Sequence, residues 1–299
     1  MQYPVVIFAY KRPMLLKKCL ESLELCDNAK NYKIHIYIDG PQNNTDLLLI
    51  EETSRVANKQ WAFKQVVIIN RNMNLGLRQS IIEGLNEVFD KYDAAIIIED
   101  DLQFHPKFLS FVSNGLDKYG NKKTVASIQG FSLIEQNSSE SYFLPGADCW
   151  GWGTWSDRWR TVSWDSKYLL NQIVSQKLEK QFNFNNSYNF TKLLRLNSEG
   201  KISSWAIDWQ ASMFLQGRVS LYPPFNLVYN LGDGVEASNT SDSLDFLPKL
   251  SEKEFWSYPN TVKVLESIYN EVSTAYLMFI PKYKMFVRYF KKLKHWLGT

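Results

Sequence analysis

Residues 94–108 read AAIIIEDDLQFHPKF, an apolar run that ends in three consecutive carboxylates, Glu99, Asp100 and Asp101. Adjacent like charges repel, and burying them is costly unless a cation or hydrogen-bond donors satisfy them. The run therefore predicts either a strand that ends in solvent or a strand end that faces something positive. The pattern in the rest of the chain distinguishes these two cases.

Similar apolar runs occur before residue 94 and alternate with helical patterns. YPVVIFA (3–9), YKIHIYI (32–38) and KQVVIIN (64–70) predict three further strands. Apolar residues at helical spacing follow the first strand, and a second amphipathic helix is predicted over about 75–91. Nearly all-apolar strands that alternate with helices are typical of a parallel sheet covered on both faces.

Carboxylates follow two of these predicted strands. Asp39 ends the second strand, and Glu99 to Asp101 end the fourth. We expect both groups at the carboxyl edge of the sheet, where ligand crevices form in open α/β folds. The first strand is followed by neither a Gly-x-Gly-x-x-Gly pattern nor a Walker lysine loop, so neither a dinucleotide fold nor a P-loop is predicted.

Composition narrows the class of protein. The 299 residues are 45% hydrophobic and carry a net charge of only +3, which is not the signature of a nucleic-acid partner. Three cysteines, Cys19, Cys26 and Cys149, are too few and too badly spaced for a disulfide framework or a zinc site. No secretory signal or transmembrane run is apparent, so a cytoplasmic protein is expected.

The second half of the chain has a different pattern. A strand is predicted at 125–131, and a helix followed by a strand at 203–224. Between them, YFLPGADCWGWGTWSDRW (142–159) is interpreted as a Trp/Gly-rich loop that leads into a helix. Residues 166–200 look helical apart from an Asn-rich stretch at 183–191, which is expected to be a surface loop.

The C-terminal tail is basic and amphipathic. From about residue 260 the chain is predicted to be helical, and after Glu271 it carries no acidic residue. Residues 276–299 place aromatic and aliphatic side chains on one helical face and lysines and arginines on the other. This pattern is typical of a membrane-surface helix near anionic lipid, although a helix docked on the domain remains the alternative.

The acids suggest chemistry of their own. Oxygen ligands suit hard cations such as Mn²⁺ or Mg²⁺, which are often held by one or two carboxylates and the phosphates of a nucleotide. On an extended segment Asp100 and Asp101 would point in opposite directions, so that one could hold a metal while the other faces a sugar or ribose. In WAIDW, Asp208 lies between tryptophans, where an apolar wall would raise its pKa and suit a general base. A helix cap or surface acid is the alternative for Asp208.

The order of these motifs resembles GT-A fold glycosyltransferases. It is similar to inverting, family-two-like bacterial enzymes and to eukaryotic N-acetylglucosaminyltransferase I. The resemblance is carried by five segments spanning about residues 3–240: VVIFAYKRP, IYIDG, NLGLRQSIIEGLNEVF with IIIEDDLQFHPKFLSFV, the GWGTW…RW segment and the Trp-flanked DW. It implies a catalytic domain over 1–245, with a nucleotide-sugar half (1–101) and an acceptor half (102–245). The tail lies outside the resemblance, and its own pattern predicts a helical, membrane-associating segment at 250–299.

The resemblance also implies roles for individual residues. It implies that a UDP-sugar is bound by Ala9, Arg12, Asp39, Arg78, Glu99 and Asp100. It implies that Asp101 holds Mn²⁺ or Mg²⁺ and that Asp208 takes the proton of the acceptor hydroxyl. It implies a sugar and acceptor pocket formed by Trp150, Gly151, Trp152 and Trp205.

One feature departs from the family pattern. Related bacterial chains often carry a histidine in a loop after the final strand, whereas YNLGDGVEASNTSDS (229–243) has none. Asp233, Glu236 or Asn239 could contact donor phosphate or metal instead. The departure concerns a closing loop and leaves the reaction class unchanged.

The sequence therefore predicts an inverting, metal-dependent transferase. Its donor would be a UDP-sugar, with a lean to UDP-N-acetylglucosamine from the resemblance alone. Its acceptor would be a growing bacterial glycan, free or on a polyprenyl-diphosphate carrier. The enzyme would be peripheral at the inner face of the cell membrane. Alternatives are a sugar-nucleotide nucleotidyltransferase, a non-catalytic carbohydrate-binding protein and a glycoside hydrolase, which would need two opposed carboxylates.

Overall fold

The structure is a computed structural model that describes residues 3–231 and 248–278. The strands in this part of the chain are β1 (Val5–Ala9), β2 (Lys33–Ile38), β3 (Gln65–Asn70), β4 (Ala94–Glu99), β5 (Leu102–Phe104), β6 (Val125–Gln129), β7 (Tyr142–Pro145), β8 (Trp152–Trp155), β9 (Val219–Tyr222) and β10 (Val228–Asn230). The four strands predicted in the first hundred residues are all present.

The helices alternate with the strands and then cluster in the second half. They are α1 (Pro13–Glu24), α2 (Leu47–Ala57), α3 (Gly76–Phe89), α4 (Phe108–Tyr119), α5 (Ser156–Trp159), α6 (Ser166–Ser175), α7 (Glu179–Phe182), α8 (Phe190–Ser198) and α9 (Trp205–Leu215). Residues 266–278 form a further helix.

An eight-stranded mixed sheet in the order β3-β2-β1-β4-β8-β6-β9-β7 organises the described chain. The strands β3, β2, β1 and β4 pair in parallel, as do β6 and β9. Only β8 and β7 run antiparallel to their neighbours within this described sheet. The prediction of a mostly parallel sheet is confirmed. A separate antiparallel pair joins β5 to β10.

Both faces of the sheet are covered, which explains why its first strands are apolar throughout. Along β1, Val5 and Ile7 belong to the core cluster that includes α1 and α4. Val6 and Phe8 point to the opposite face and belong to the cluster that includes α3 and α9. Alternate residues of one strand thus fill two cores, as period-two geometry requires.

The Trp/Gly-rich segment at 142–159 is not a loop throughout, and this part of the interpretation was wrong. It contains β7 and β8, and β8 inserts antiparallel between β4 and β6. Gly153 allows this position because a Cβ there would lie 2.6 Å from Val112 Cγ1 of α4. Tryptophans in a strand and in a loop give similar sequence patterns, so only the packing distinguishes them.

The Asn-rich stretch at 183–191 is also more than a surface loop. Phe184 is 3% exposed, and Asn183 is buried. The side-chain oxygen of Asn183 accepts hydrogen bonds from the backbone amide of Thr191 at 2.9 Å and from its hydroxyl at 3.1 Å. The side chain of Asn183 thus fixes the connection between α7 and the start of α8.

The described part of the C-terminal segment packs on α4 and its neighbours. Tyr119 donates a hydrogen bond to the carbonyl of Pro259 at 2.6 Å, and Trp256 packs edge-on against Phe111. Helix 266–278 contributes Val272 to a core cluster. These contacts dock residues 256–278 on the rest of the described chain. The helix begins later than the predicted residue 260.

Two sequence predictions fall on the remaining residues. Most of the predicted membrane-surface segment (279–299) and most of the loop with Asp233, Glu236 and Asn239 lie outside the described residues. Within the described ranges, no helix is both long and apolar enough to cross a bilayer.

The docking of helix 266–278 is testable by substitution. Val272 is 1% exposed and Leu277 on the same helix is 58% exposed. We expect Val272→Asp to lower the free energy of unfolding by about 2–4 kcal/mol, because it buries an unpaired carboxylate. Leu277→Asp should change it by less than about 0.5 kcal/mol. Urea unfolding of both variants measures the difference, and equal stabilities would show that the helix is not docked.

Candidate active site

The carboxyl ends of the central parallel strands lie in register. Phe8 pairs with Glu99, and Ala9 pairs with Ile38. The backbone amide of Asp39 donates to the carbonyl of Ala9 at 3.0 Å. The predicted meeting of Asp39 and the acids of β4 at one edge of the sheet is therefore confirmed.

Arg12 binds two of the three acids at this edge. Its guanidinium binds Asp100 through two nitrogens, Nε at 3.3 Å and Nη2. Its Nη1 donates to Asp101 Oδ2 at 3.0 Å. The backbone amide of Tyr10 adds a further hydrogen bond to Asp100 at 3.3 Å. The strand end thus faces a positive charge supplied by the chain itself, which answers the question that its three carboxylates raise.

The expected opposite orientation of Asp100 and Asp101 was wrong. Strand β4 ends at Glu99, and the two aspartates lie in the following turn. Because alternation holds only in extended backbone, a turn can direct both carboxylates towards one partner. Asp100 is fully buried against Arg12 and is therefore poorly placed to face a sugar directly.

Crowding of negative charge and burial perturb this cluster. Burial, together with the charges of Asp101 and Asp100, raises the pKa of Glu99 to about 8. Burial also raises the pKa of Asp100 to about 6, although Arg12 opposes the shift. Perturbed carboxyl groups at the carboxyl edge of a parallel sheet are a physical indication of a functional site.

Asp101 retains an unused oxygen. Its Oδ1 is buried and has no hydrogen-bond partner among the described residues. A buried carboxylate oxygen without a partner fits a hard cation, which usually takes only one or two protein carboxylates when phosphates complete its shell. The described residues contain no group of three or more His, Cys, Asp or Glu side chains placed to hold a metal. Asp101 is thus the residue that suits Mn²⁺ or Mg²⁺, with ligands from the substrate.

Asp39 has a structural task at the same edge. Its carboxylate accepts hydrogen bonds from the backbone amides of Leu75 and Gly76, both at 2.9 Å. It thereby satisfies amides at the start of α3, in the manner of an N-terminal cap. Gly40 beside it is required because a Cβ would lie 2.4 Å from the backbone of Met73. Ala9 contributes its carbonyl to this edge and exposes little side chain.

Asp208 and Arg78 form an ion pair. Arg78 Nη1 lies 2.6 Å from Asp208 Oδ2, and Ser166 donates to Asp208 Oδ1 at 2.7 Å. Asn197 donates to the same oxygen at 3.1 Å. Burial raises the pKa of Asp208, while the hydrogen bonds from Ser166 and Arg78 oppose the shift. The side chain of Asp208 is fully buried, so its contacts are those of a residue that ties α9 to α3, α6 and α8.

The predicted sugar and acceptor pocket is only partly present as predicted. Trp152 is fully buried and stacks on Trp205, which is 3% exposed, so both belong to the core. Gly151 is a close-packing position, because a Cβ there would lie 2.9 Å from Val228. A side chain without exposed surface cannot contact a sugar. Trp150, by contrast, lines a cavity.

That cavity, here called the aromatic pocket, has a volume of about 150 Å³. Its aromatic walls come from segments that are distant in sequence: Trp150, Phe184, Tyr188, Phe190, Tyr222 and Tyr276. Asp148 and Gln210 also line it. Sequence reasoning missed Asp148, and its one signal was its position in GADCW, directly before the Trp/Gly segment.

Comparison with known proteins supports the resemblance at the family level. The sequence model of glycosyl transferase family 2 matches residues 5–178, more than half of the chain. No curated protein sequence matches significantly. Together with the eight-stranded sheet and its flanking helices, the match identifies the fold as GT-A, as predicted.

Several solved structures match parts of this chain at low identity. The 1–349 fragment of S. aureus TarS in complex with UDP is 14% identical, with a TM-score of 0.31, over 46% of this chain and 36% of that one. S. aureus TarS is 13% identical, with a TM-score of 0.40, over 77% and 36%. A protein of Desulfovibrio desulfuricans G20, described as a nucleotide-diphospho-sugar transferase, is 15% identical with a TM-score of 0.33, over 53% and 65%. The matches thus span between 36% and 65% of these structures, and likeness at this level says nothing of donor or acceptor.

The raised pKa of Glu99 predicts a pH-dependent stability. Because its pKa is about 8 in the folded state and 4.5 ordinarily, the folded chain binds the extra proton between these values. Stability from this group is present below about pH 4.5 and is lost as pH rises through about 8, at up to about 1.4 kcal/mol per pH unit.

Denaturant unfolding in EDTA at about pH 6, 7 and 8 measures this dependence. We expect Glu99→Gln to flatten the decline. Glu51→Gln, at an exposed position, should leave it unchanged. Parallel curves for wild type and Glu99→Gln would contradict the assignment.

Proposed function

The chain belongs to glycosyl transferase family 2, and on that premise we propose that it is an inverting, metal-dependent transferase that uses a UDP-sugar. The observation that carries the proposal is the acid cluster at the carboxyl edge of the parallel strands. Asp101 there keeps one buried oxygen without a partner among the described residues, while Arg12 occupies its other oxygen and neutralises Asp100.

The proposed division of roles follows these contacts. Asp101 would hold Mn²⁺ or Mg²⁺, which would offset the negative charge on the departing UDP. Arg12 keeps Asp100 and Asp101 fixed, so that the free oxygen of Asp101 is oriented before substrate arrives. Glu99 is half-buried beside them and would face the donor. Asp39 holds the start of α3 and would present its remaining lone pairs to the uracil or ribose.

The proposed base remains Asp208. A single base that deprotonates the acceptor hydroxyl during one direct displacement gives inversion at the anomeric carbon. In the described geometry both oxygens of Asp208 accept hydrogen bonds, so this role requires the ion pair with Arg78 to open when substrates bind. A general base must reach the proton that it abstracts, although such hydrogen bonds often form only in the substrate complex.

Donor, acceptor and location are proposed from the sequence. UDP-N-acetylglucosamine is favoured over UDP-glucose and UDP-galactose by the resemblance. A growing bacterial glycan, free or on a polyprenyl-diphosphate carrier, is the proposed acceptor. The basic tail, of which 276–278 are described, would bring the enzyme to the inner face of the cell membrane.

The rival functions lack comparable support. A sugar-nucleotide nucleotidyltransferase usually carries a glycine-rich basic loop after its first strand, and AYKRPMLL has no glycine. A non-catalytic carbohydrate-binding protein has no evident use for three acids at the end of β4. Neither alternative explains the arrangement of Arg12 and Asp101.

Metal-dependent nucleotide binding tests the proposal. We expect calorimetric titration to show that UDP binds the wild-type protein with Mn²⁺ and much more weakly with EDTA. Asp101→Asn should weaken binding in Mn²⁺ by about tenfold or more, because it removes the metal-binding carboxylate. Asp90→Asn is the control, since Asp90 is exposed and pairs only with Arg160 among the described cations.

The outcomes separate the two parts of the proposal. Binding of UDP that is equal with Mn²⁺ and EDTA would remove the metal but keep the nucleotide. Absence of binding by UDP and by other nucleotides would reject the UDP-sugar proposal.

The base assignment has its own test. Asp208→Asn should lower turnover, measured as UDP released from UDP-N-acetylglucosamine with simple glycoside acceptors, by roughly 10²–10⁴-fold. UDP affinity should stay within about twofold of wild type, since the residue does not touch the nucleotide acids.

Ser166→Ala is the matched control because it removes one hydrogen bond from Asp208 and keeps the carboxylate. A lower melting temperature of Asp208→Asn with unchanged turnover per folded molecule would show that the ion pair is purely structural. Asp148 would then be the next carboxylate to test as base.

A further inference from the structure

The aromatic pocket lies beside the acid cluster. Strand β8 pairs with β4 such that Trp152 lies opposite Ile97, two residues before Glu99. The segment that leads into β8, with Asp148 and Trp150, therefore approaches the same edge as Glu99. Burial raises the pKa of Cys149, and the negative charges of Asp148, Glu99 and Asp101 raise it further. The thiol is thus near both Asp148 of the pocket and the acid cluster.

The floor of the pocket is held rigidly. Gly146 has a φ of +76°, and a Cβ there would lie 2.3 Å from Gln210 Oε1. The same Gln210 oxygen accepts a hydrogen bond from the backbone amide of Ala147. Because Gln210 belongs to α9, the segment that carries Asp148 is fixed to the helix that Asp208 ties down. Such a site is formed before a ligand arrives.

Aromatic side chains from the second half close the pocket. Tyr276 packs against Phe184 and Tyr188 with ring centroids 5.3 and 5.2 Å apart, and Tyr188 lies 4.4 Å from Phe190. Helix 266–278 therefore supplies one wall. Trp150 packs edge-on against Phe131 at 4.8 Å, which leaves it half-buried at the pocket.

The residues that line the pocket favour an uncharged ring as ligand over an anionic group. Among the described residues that line the pocket, Asp148 is the one ionisable acid besides the phenols, and no lysine or arginine is present. Burial and the charge of Asp148 raise the pKa values of Tyr222 and Tyr276, so both phenols stay protonated and can donate hydrogen bonds. A diphosphate would find no cation there. The volume of about 150 Å³ is below that of sites for drug-sized ligands and suits a single ring.

We propose that the aromatic pocket binds the neutral terminal sugar of the acceptor, stacked on Trp150 and hydrogen-bonded through one hydroxyl to Asp148. This assignment rests on the proposed function, since the site is an acceptor site only in a transferase. Asp148 Oδ1 already accepts the backbone amide of Cys149 at 2.7 Å, which fixes the carboxylate in place. A carboxylate has room for further donors. The carrier or diphosphate of a lipid-linked acceptor would then lie outside the pocket.

Ligand-observed saturation-transfer NMR on the full chain tests the proposal. The probes are the methyl glycosides of glucose, galactose, mannose and N-acetylglucosamine, with UDP and Mn²⁺ present and absent. We expect at least one glycoside to bind, and inorganic pyrophosphate not to displace it. Trp150→Ala should weaken its binding about tenfold or more, and Asp148→Asn about threefold or more, through loss of stacking and of a charged hydrogen-bond acceptor.

Matched controls lie elsewhere in the fold. Trp61→Ala removes a half-buried tryptophan whose indole donates to Val56, and Asp90→Asn removes an exposed acid; both should bind the glycoside like wild type. All variants should bind UDP with Mn²⁺ like wild type.

The other possible results affect the two proposals differently. UDP binding without binding of any glycoside rejects the pocket and keeps the UDP-sugar site. A glycoside that binds Trp150→Ala and Asp148→Asn as well as wild type binds elsewhere, and this also rejects the pocket. Glycoside binding that depends on both residues, in a protein that binds no nucleotide, makes the pocket a sugar site and rejects the transferase and its acceptor.

Discussion

The structure depends on the contact of Arg12 with Asp100 and Asp101. Strand β4 is buried on both faces up to its end, and the acids that follow would be costly to bury without a counter-charge. Arg12 can supply the charge only because β1 and β4 end level with each other, with Phe8 opposite Glu99. Arg12 can thus bind the acids only if β1 and β4 keep this register. A slip of one residue would remove the guanidinium from Asp100 and leave it buried without its cation.

The same contact separates a structural acid from an available one. Asp100 is fully buried and accepts hydrogen bonds from Arg12 and from the backbone amide of Tyr10. Its charge is therefore compensated within the fold. Asp101 gives one oxygen to Arg12 and keeps the other without a partner among the described residues. Arg12 therefore does not have to leave before Asp101 can accept a ligand. A buried ion pair adds little net stability, but it can orient neighbouring groups with precision.

The sequence predicted those parts of the fold that depend on local pattern. Apolar runs and helical spacing located β1 to β4, α1 and α3, because periodicity and burial are linked directly. The acids after β2 and β4 located the edge at which Asp39 and Glu99 meet. The sequence pattern failed to predict features that depend on packing between distant segments. Tryptophans such as Trp152 and Trp205 are common on sugar-binding surfaces, yet these two stack on each other in the core. The aromatic pocket joins side chains from 148–150, 184–190, 222 and 276, a proximity that no single stretch encodes.

Asp208 and Asp148 show that the exposure of a carboxylate, as well as its sequence context, decides whether a ligand can reach it. Asp208 lies between tryptophans, a pattern that predicts a general base. Its hydrogen bonds, however, fix α9 against three other helices. The sequence around Asp148 predicts no function for it, but the side chain is half-buried in the wall of a cavity. The two are connected, since α9 also carries Gln210, which fixes the backbone beside Asp148. A buried ion pair at Asp208 would thus serve the site by holding Asp148 in place, whether or not Asp208 itself moves a proton.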